Sequence, residues 1–142
     1  MPDQSGSTHR PVSVELLNDR ACIERLEADI LERIDHFGYP KASRFAVKLA
    51  FEEAIANAFQ HGHRGLSGEL PVRVTYDVTD AEIHIEIEDQ GPGFQADDVP
   101  DPTLDENLDR PSGRGLMLMR SYMTTVRYNE RGNRVEMIYR RR

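Results

Sequence analysis

The sequence predicts an α/β two-layer sandwich: a mixed, mainly antiparallel sheet covered on one face by three helices. Three observations carry this reading. Two alternating segments, Val72–Val78 and Ile83–Glu88, are separated by only Thr79-Asp80-Ala81-Glu82 and form a natural antiparallel hairpin. Two long stretches, Arg20–His36 and Lys41–His61, repeat apolar residues at helical spacing. Two shorter segments, Thr125–Tyr128 and Arg134–Tyr139, flank Arg131-Gly132-Asn133 and make a closing hairpin.

Taken in order, residues 1–11 are polar and rich in small side chains, which predicts a tail without fixed conformation. The domain is expected over residues 12–142. Val12-Ser13-Val14-Glu15-Leu16 alternates and reads as a first strand, and Asn18-Asp19 supplies a cap for the helix that follows. In that helix Ile23, Leu26, Ile30 and Ile34 form one stripe, and Gly38 and Pro40 end it. The next helix, Lys41–His61, is the one around which the chain is organised. Val47, Phe51, Ile55 and Phe59 recur every four residues beside a row of Ala46, Ala50 and Ala54, so it should be largely buried. Gly62, Gly65 and Gly68 then mark a loop. Between Asp89 and Gly115 there is no periodicity, with four prolines and six acidic residues from Asp97 to Asp109. So long an irregular segment in so small a domain points to function or disorder. Leu116–Met123 reads as a short third helix.

Composition narrows the function. With 142 residues, 38% of them hydrophobic, the chain suits one domain with a real core. A formal net charge of −7 argues against direct nucleic-acid binding. The single cysteine, Cys22, excludes an internal disulfide and a cysteine metal cluster, and fits a reducing compartment. No stretch has the roughly 18 uninterrupted apolar residues of a membrane span, and no basic-then-apolar leader opens the chain, so a cytoplasmic protein is expected.

Chemistry is suggested by three signals in fixed order. Glu53 and Asn57 interrupt the apolar cover of the organising helix, and four-residue spacing puts them on one face in an alanine-lined setting. Such groups are costly to bury unless something satisfies them, as Mg²⁺ with a phosphate chain would. Asp89-Gln90-Gly91-Pro92-Gly93-Phe94 follows a strand directly; its glycines let the backbone approach a flat ligand, and its carboxylate can accept from an exocyclic amine. Ser112-Gly113-Arg114-Gly115-Leu116 is glycine-rich and opens a helix, a geometry that offers backbone N–H groups and a positive dipole end to phosphates. Each signal alone has a plain structural alternative: a solvated helix face, an Asp turn, a helix start. His84 falls on the polar side of its strand, and a solvated strand residue is the simpler assignment.

In combination, Phe51–Gly62, Asp89–Phe94 and Ser112–Arg120 resemble the N box and the two glycine boxes of the Bergerat-type ATPase superfamily. The wording Glu-Ala-x-x-Asn-Ala-x-x-His-Gly with Pro-Ser-Gly-Arg-Gly-Leu-x-Leu-Met is similar to the bacterial anti-sigma-factor serine/threonine kinases, over about Val12–Tyr139. The resemblance implies ATP and Mg²⁺ as cofactors. It makes Asn57 the metal ligand and Glu53 the general base. Asp89 becomes the acceptor for the adenine amine, with Gly91 and Gly93 giving the base room. Ser112, Gly113, Arg114, Gly115 and Leu116 become the phosphate-holding turn, and residues 95–111 the ATP lid. His61 lies one turn beyond Asn57 but is more simply a helix-ending residue.

Glu53 also speaks to the acceptor. A neutral imidazole can attack phosphorus without first losing a proton, whereas a serine or threonine hydroxyl, or water, benefits from a base. Histidine kinases generally lack this glutamate and carry a dimerising acceptor domain, for which 142 residues leave no room. The resemblance therefore implies a kinase that sequesters a sigma factor, phosphorylates an anti-sigma-factor antagonist protein, and is a homodimer. A nucleotide-responsive binding module without phosphotransfer and a stand-alone ATPase are the alternatives.

Overall fold

The computed structural model describes residues 11–62, 70–91, 122–130 and 132–141. The chain begins with β1 (Val12–Leu16), α1 (Arg20–His36) and α2 (Lys41–Asn57), which runs into a π-helical turn, Ala58–Gly62. β2 (Val72–Val78), β3 (Glu82–Glu88), β4 (Thr125–Tyr128) and β5 (Arg134–Arg140) follow. The strands form one sheet in the order β1-β2-β3-β5-β4. Every pairing is antiparallel, so the mixed sheet expected from the sequence is corrected to a wholly antiparallel one among the described residues. Two helices, α1 and α2, cover it. The third, expected at Leu116–Met123, falls outside the described residues except at its last two positions, where Met123 joins the core.

Local chemistry explains the boundaries. The Asp19 side chain accepts from the Cys22 backbone N–H at 3.3 Å and satisfies one of the N–H groups left orphaned at the start of α1. Gly38, at φ 72°, takes the left-handed conformation that ends that helix. Pro40 is not only a stop. In extended conformation it is the N-cap of α2, where a missing N–H costs nothing. Between β2 and β3, the Thr79 N–H donates to Glu82 O at 2.9 Å, and its Oγ1 accepts from the Ala81 and Glu82 N–H groups.

Period-two alternation sorts the sheet into two faces. Val72, Val74, Tyr76 and Val78 of β2, Ile83, Ile85 and Ile87 of β3, and Val135 and Met137 of β5 face the helices. Register joins them in rows, Tyr76 to Ile85 to Met137 and Val74 to Ile87 to Val135. Leu26, Ile30, Leu31 and Ile34 of α1 and Val47, Ala50, Phe51, Ala54 and Ile55 of α2 fill the space above. Asp29 of α1 accepts a hydrogen bond from the buried Tyr76 hydroxyl, which fixes α1 over β2. α2 is less enclosed than its composition suggests. It buries one stripe, while Lys41, Ala42 and Glu52 are exposed and Phe45 is 57% exposed.

The end of α2 also differs from expectation. Its α-helical bonding stops at Asn57, and residues 58–62 adopt the wider i→i+5 bonding of a π-turn. The four-residue register that relates Glu53 to Asn57 therefore does not continue to His61.

Candidate active site

Two of the expected site residues come from α2. Because Ala50, Phe51, Ala54, Ile55 and Ala58 form the buried stripe, Glu53 and Asn57 lie along its edge, and both are half-buried. Among the described residues, no hydrogen bond or ion pair engages either side chain. The adjacent Glu52 is different. It is exposed, takes the Lys48 ammonium at 3.1 Å, and faces Glu27 of α1. Burial, and then the hydrogen bond and like charge of Glu52, push the Glu27 carboxyl up to about 7, while the same hydrogen bond holds Glu52 below the usual carboxylate range. Of the pair, Glu27 is the one that keeps its proton, and among the described residues its buried Oε2 has no hydrogen-bond partner. Of the two neighbouring glutamates, Glu52 has a structural role, and Glu53 makes no hydrogen bond or ion pair among the described residues.

The other described site residues stand just past β3. The Asp89 N–H donates to Asn133 O at 2.8 Å, and Asn133 Nδ2 donates back to Asp89 O at 3.1 Å. Asp89 Oδ1 accepts from the Gly91 N–H at 2.8 Å, which folds the chain into a tight turn with Gly91 buried. Gln90 Nε2 reaches Pro71 O at 2.9 Å and ties this turn to the start of β2. Asp89 is thus pinned by its backbone with its carboxylate oriented by the next residues.

Sequence reasoning missed Asn133. It read that residue only as part of a hairpin turn, yet Asn133 is 7% exposed and fully engaged. Asn129 Oδ1 accepts from the N–H groups of Gly132, Asn133 and Arg134, and Asn129 Nδ2 donates to Asn133 Oδ1 at 2.9 Å. Gly132 makes this possible at φ 80°. No local signal distinguishes such an asparagine from an ordinary turn residue, because its partner is 44 residues away.

Residues of α2, β2 and β3 share one core, and Asp89 directly follows the last residue of β3, Glu88. Gly93, Ser112, Gly113, Arg114, Gly115, Leu116 and the segment expected as a lid, 95–111, lie outside the described residues, as does the His61 side chain.

The histidine kinase-like ATPase domain matches residues 21–139, from the start of α1 to the end of β5. The serine-protein kinase RsbW of Staphylococcus epidermidis is 35% identical over 98 residues, covering 64% of this chain and 62% of its own length. The serine/threonine-protein kinase BtrW of Bordetella bronchiseptica is 32% identical over 94 residues, 62% of this chain and 63% of its own. The anti-sigma F factor of Clostridium acetobutylicum is 30% identical over 100 residues, covering 68% of each. The match thus spans a little under two thirds of the first two relatives. A crystal structure of RsbU and RsbW domains from Mycobacterium tuberculosis superposes with a TM-score of 0.61 at 14% identity, over 94% of this chain and 32% of that one, a likeness of fold. The chain belongs to the histidine kinase-like ATPase family, in the branch that holds the anti-sigma-factor serine/threonine kinases.

Proposed function

We propose that the protein is an ATP-dependent serine/threonine protein kinase that sequesters a sigma factor and phosphorylates an antagonist of that sequestration. The observation that carries this is the pair on α2: a carboxylate and a carboxamide, four residues apart, half-buried and engaged by nothing else among the described residues. Half-buried polar groups without protein partners suit an exogenous ligand, and an amide oxygen beside a carboxylate suits a hard cation and its phosphates.

When bound, Mg²⁺ and ATP supply the transferable phosphoryl group and the charge that neutralises it. The chain's own residues do the rest. Asn57 would offer its amide oxygen to the metal. Glu53, one helical turn earlier on the same face, would take the proton from an attacking serine or threonine hydroxyl, a role worth about 10²–10⁴ in rate. Asp89 would accept from the adenine amine, its position set by Asn133 and its carboxylate by the Gly91 N–H. Gly91 and Gly93 would admit the base, and Ser112, Gly113, Arg114, Gly115 and Leu116 would hold the phosphates.

The partner assignment rests on similarity to proteins named RsbW and anti-sigma F factor. A homodimer, a cytoplasmic location and a lid over residues 95–111 belong to the same reading. Among the described residues no helix is long and apolar enough to cross a membrane. Labelled ATP, Mg²⁺ and a candidate antagonist test the activity. Transfer to a serine or threonine is expected, and Glu53→Ala should abolish it while nucleotide affinity stays within a few fold. Undiminished transfer by Glu53→Ala would remove the base assignment, and nucleotide-dependent partner exchange without transfer would make the protein a binding module.

A further inference from the structure

The face of the sheet opposite α1 and α2 carries a second cluster, unconnected with nucleotide. Ile83, Ile85 and Ile87 point into the core, so the alternating His84 and Glu86 point the other way. Glu86 of β3 and Glu136 of β5 are direct cross-strand partners. Two carboxylates in that relation repel, and the sheet is destabilised unless a positive group lies between them. His84 Nε2 is 2.7 Å from Glu136 Oε2 and 3.8 Å from Glu86 Oε2. One donor atom from each of the three residues lies within 4.8 Å of the other two.

We propose that His84, Glu86 and Glu136 form a binding site for a borderline divalent cation, with Zn²⁺ the best match, on the sheet face opposite the helices. One imidazole nitrogen and two carboxylate oxygens make a donor set that zinc accepts, with the fourth position left to water. The nitrogen disfavours Mg²⁺, which keeps to oxygen ligands in octahedral array. Tetrahedral zinc with bonds of about 2.0–2.2 Å sets its ligand atoms about 3.3–3.6 Å apart. The distances of 2.7 and 3.8 Å bracket that separation, so small rotations of the ring and carboxylates reach it.

Two further features favour a built site. Arg127 Nη2 binds Glu136 through the other oxygen, Oε1, at 3.0 Å, leaving Oε2 directed at His84. A donor behind a ligating carboxylate is the usual outer support of a metal ligand. The side chains of His84, Glu86 and Glu136 are only 24%, 31% and 28% exposed, and two hydrogen-bonded strands fix their spacing, so little order is lost when an ion enters. The competing role is purely structural: His84 bridges the two carboxylates by itself and no ion is needed.

Zinc titration of the metal-stripped full chain separates these roles. The assay is run without nucleotide, in excess Mg²⁺, with a chromophoric zinc indicator as competitor. One zinc per chain is expected, with affinity at least in the micromolar range, reversed by chelator and accompanied by a rise in melting temperature with zinc concentration. His84→Ala and Glu136→Gln should each weaken binding at least tenfold, and Arg127→Gln by less. Failure of the wild-type chain to bind zinc, or equal binding by His84→Ala, overturns the proposal. Should a variant not fold, the wild-type ring resonances decide: a zinc-dependent ¹⁵N shift at His84 Nε2 supports the site, and shifts confined to the other histidines overturn it. Nucleotide affinity and phosphotransfer are not read, so this outcome is independent of the kinase assignment.

Discussion

Single side chains separate the residues engaged within the fold from those proposed to meet a ligand. Glu52 and Glu53 are neighbours in sequence, but the helix turns the first toward Lys48 and Glu27 and the second to the margin of the buried stripe. A glutamate that already holds a lysine and whose pKa is lowered is poorly placed to take a proton. Glu53 holds no such partner among the described residues. Asp89 is the complementary case: its backbone N–H and C=O are held by the Asn133 carbonyl and amide, and its carboxylate accepts from the Gly91 N–H. Replacing Asp89 with Asn keeps the shape and the bond to Gly91 but can present a donor where an acceptor is required. We expect a loss of ATP-over-GTP preference of at least tenfold in competition binding; an unchanged preference would contradict the adenine role. Asn57→Ala should remove most of the Mg²⁺-dependent increment in ATP affinity by calorimetry, and an increment equal to wild type would contradict the metal role.

Elements owe their stability to contacts that cross between them, and the α1–α2 contact contains a titratable joint. In the folded protein Glu27 keeps its proton up to about pH 7, against about 4.5 for an ordinary glutamate, because burial and Glu52 both disfavour its charge. Between those values the folded state binds more protons than the unfolded chain, so this group lowers stability as pH rises. The lowered Glu52 acts in the opposite sense at the acid end, contributing stability that is lost as pH falls. Urea midpoints of wild type relative to Glu27→Gln should therefore fall from pH 5 to pH 7.5. Parallel profiles for the two proteins would show that Glu27 is not the titrating group. Just past the C-terminal end of α2, the change to π bonding after Asn57 places a helical irregularity directly beside the proposed metal ligand, and such turns frequently occur at functional sites.

At the scale of the whole molecule, one residue near the C-terminus closes the structure. Arg141 donates to Phe37 O at 2.9 Å and Gly38 O at 3.0 Å, and its guanidinium lies 4.4 Å from the centre of the Tyr39 ring. It thereby ties the end of β5 to the loop between the helices, more than 100 residues away in sequence. Arg141→Ala should lower unfolding stability by about 1–2 kcal/mol, and Arg141→Lys should recover only part, because an ammonium has neither the fork nor the flat face of guanidinium. Full stability of Arg141→Ala in chemical denaturation would refute this tether. Much of the described fold is legible in the sequence. Alternation placed β1 to β5 to within one residue at their ends, helical stripes placed α1, and the spacing of Glu53 and Asn57 marked the candidate site, because these patterns repeat within a few residues and depend only on local geometry. What the sequence by itself determined is therefore the five described strands, the first helix, the faces they bury and the family to which the chain belongs. Tertiary structure alone decided that every described strand pair is antiparallel and that Pro40 begins a helix. It alone decided that α2 loosens at Ala58, that Asn133 holds Asp89, and that His84 meets Glu136. Each of these depends on which distant segments lie side by side, and pairing across 44 or 52 residues leaves no trace in local periodicity.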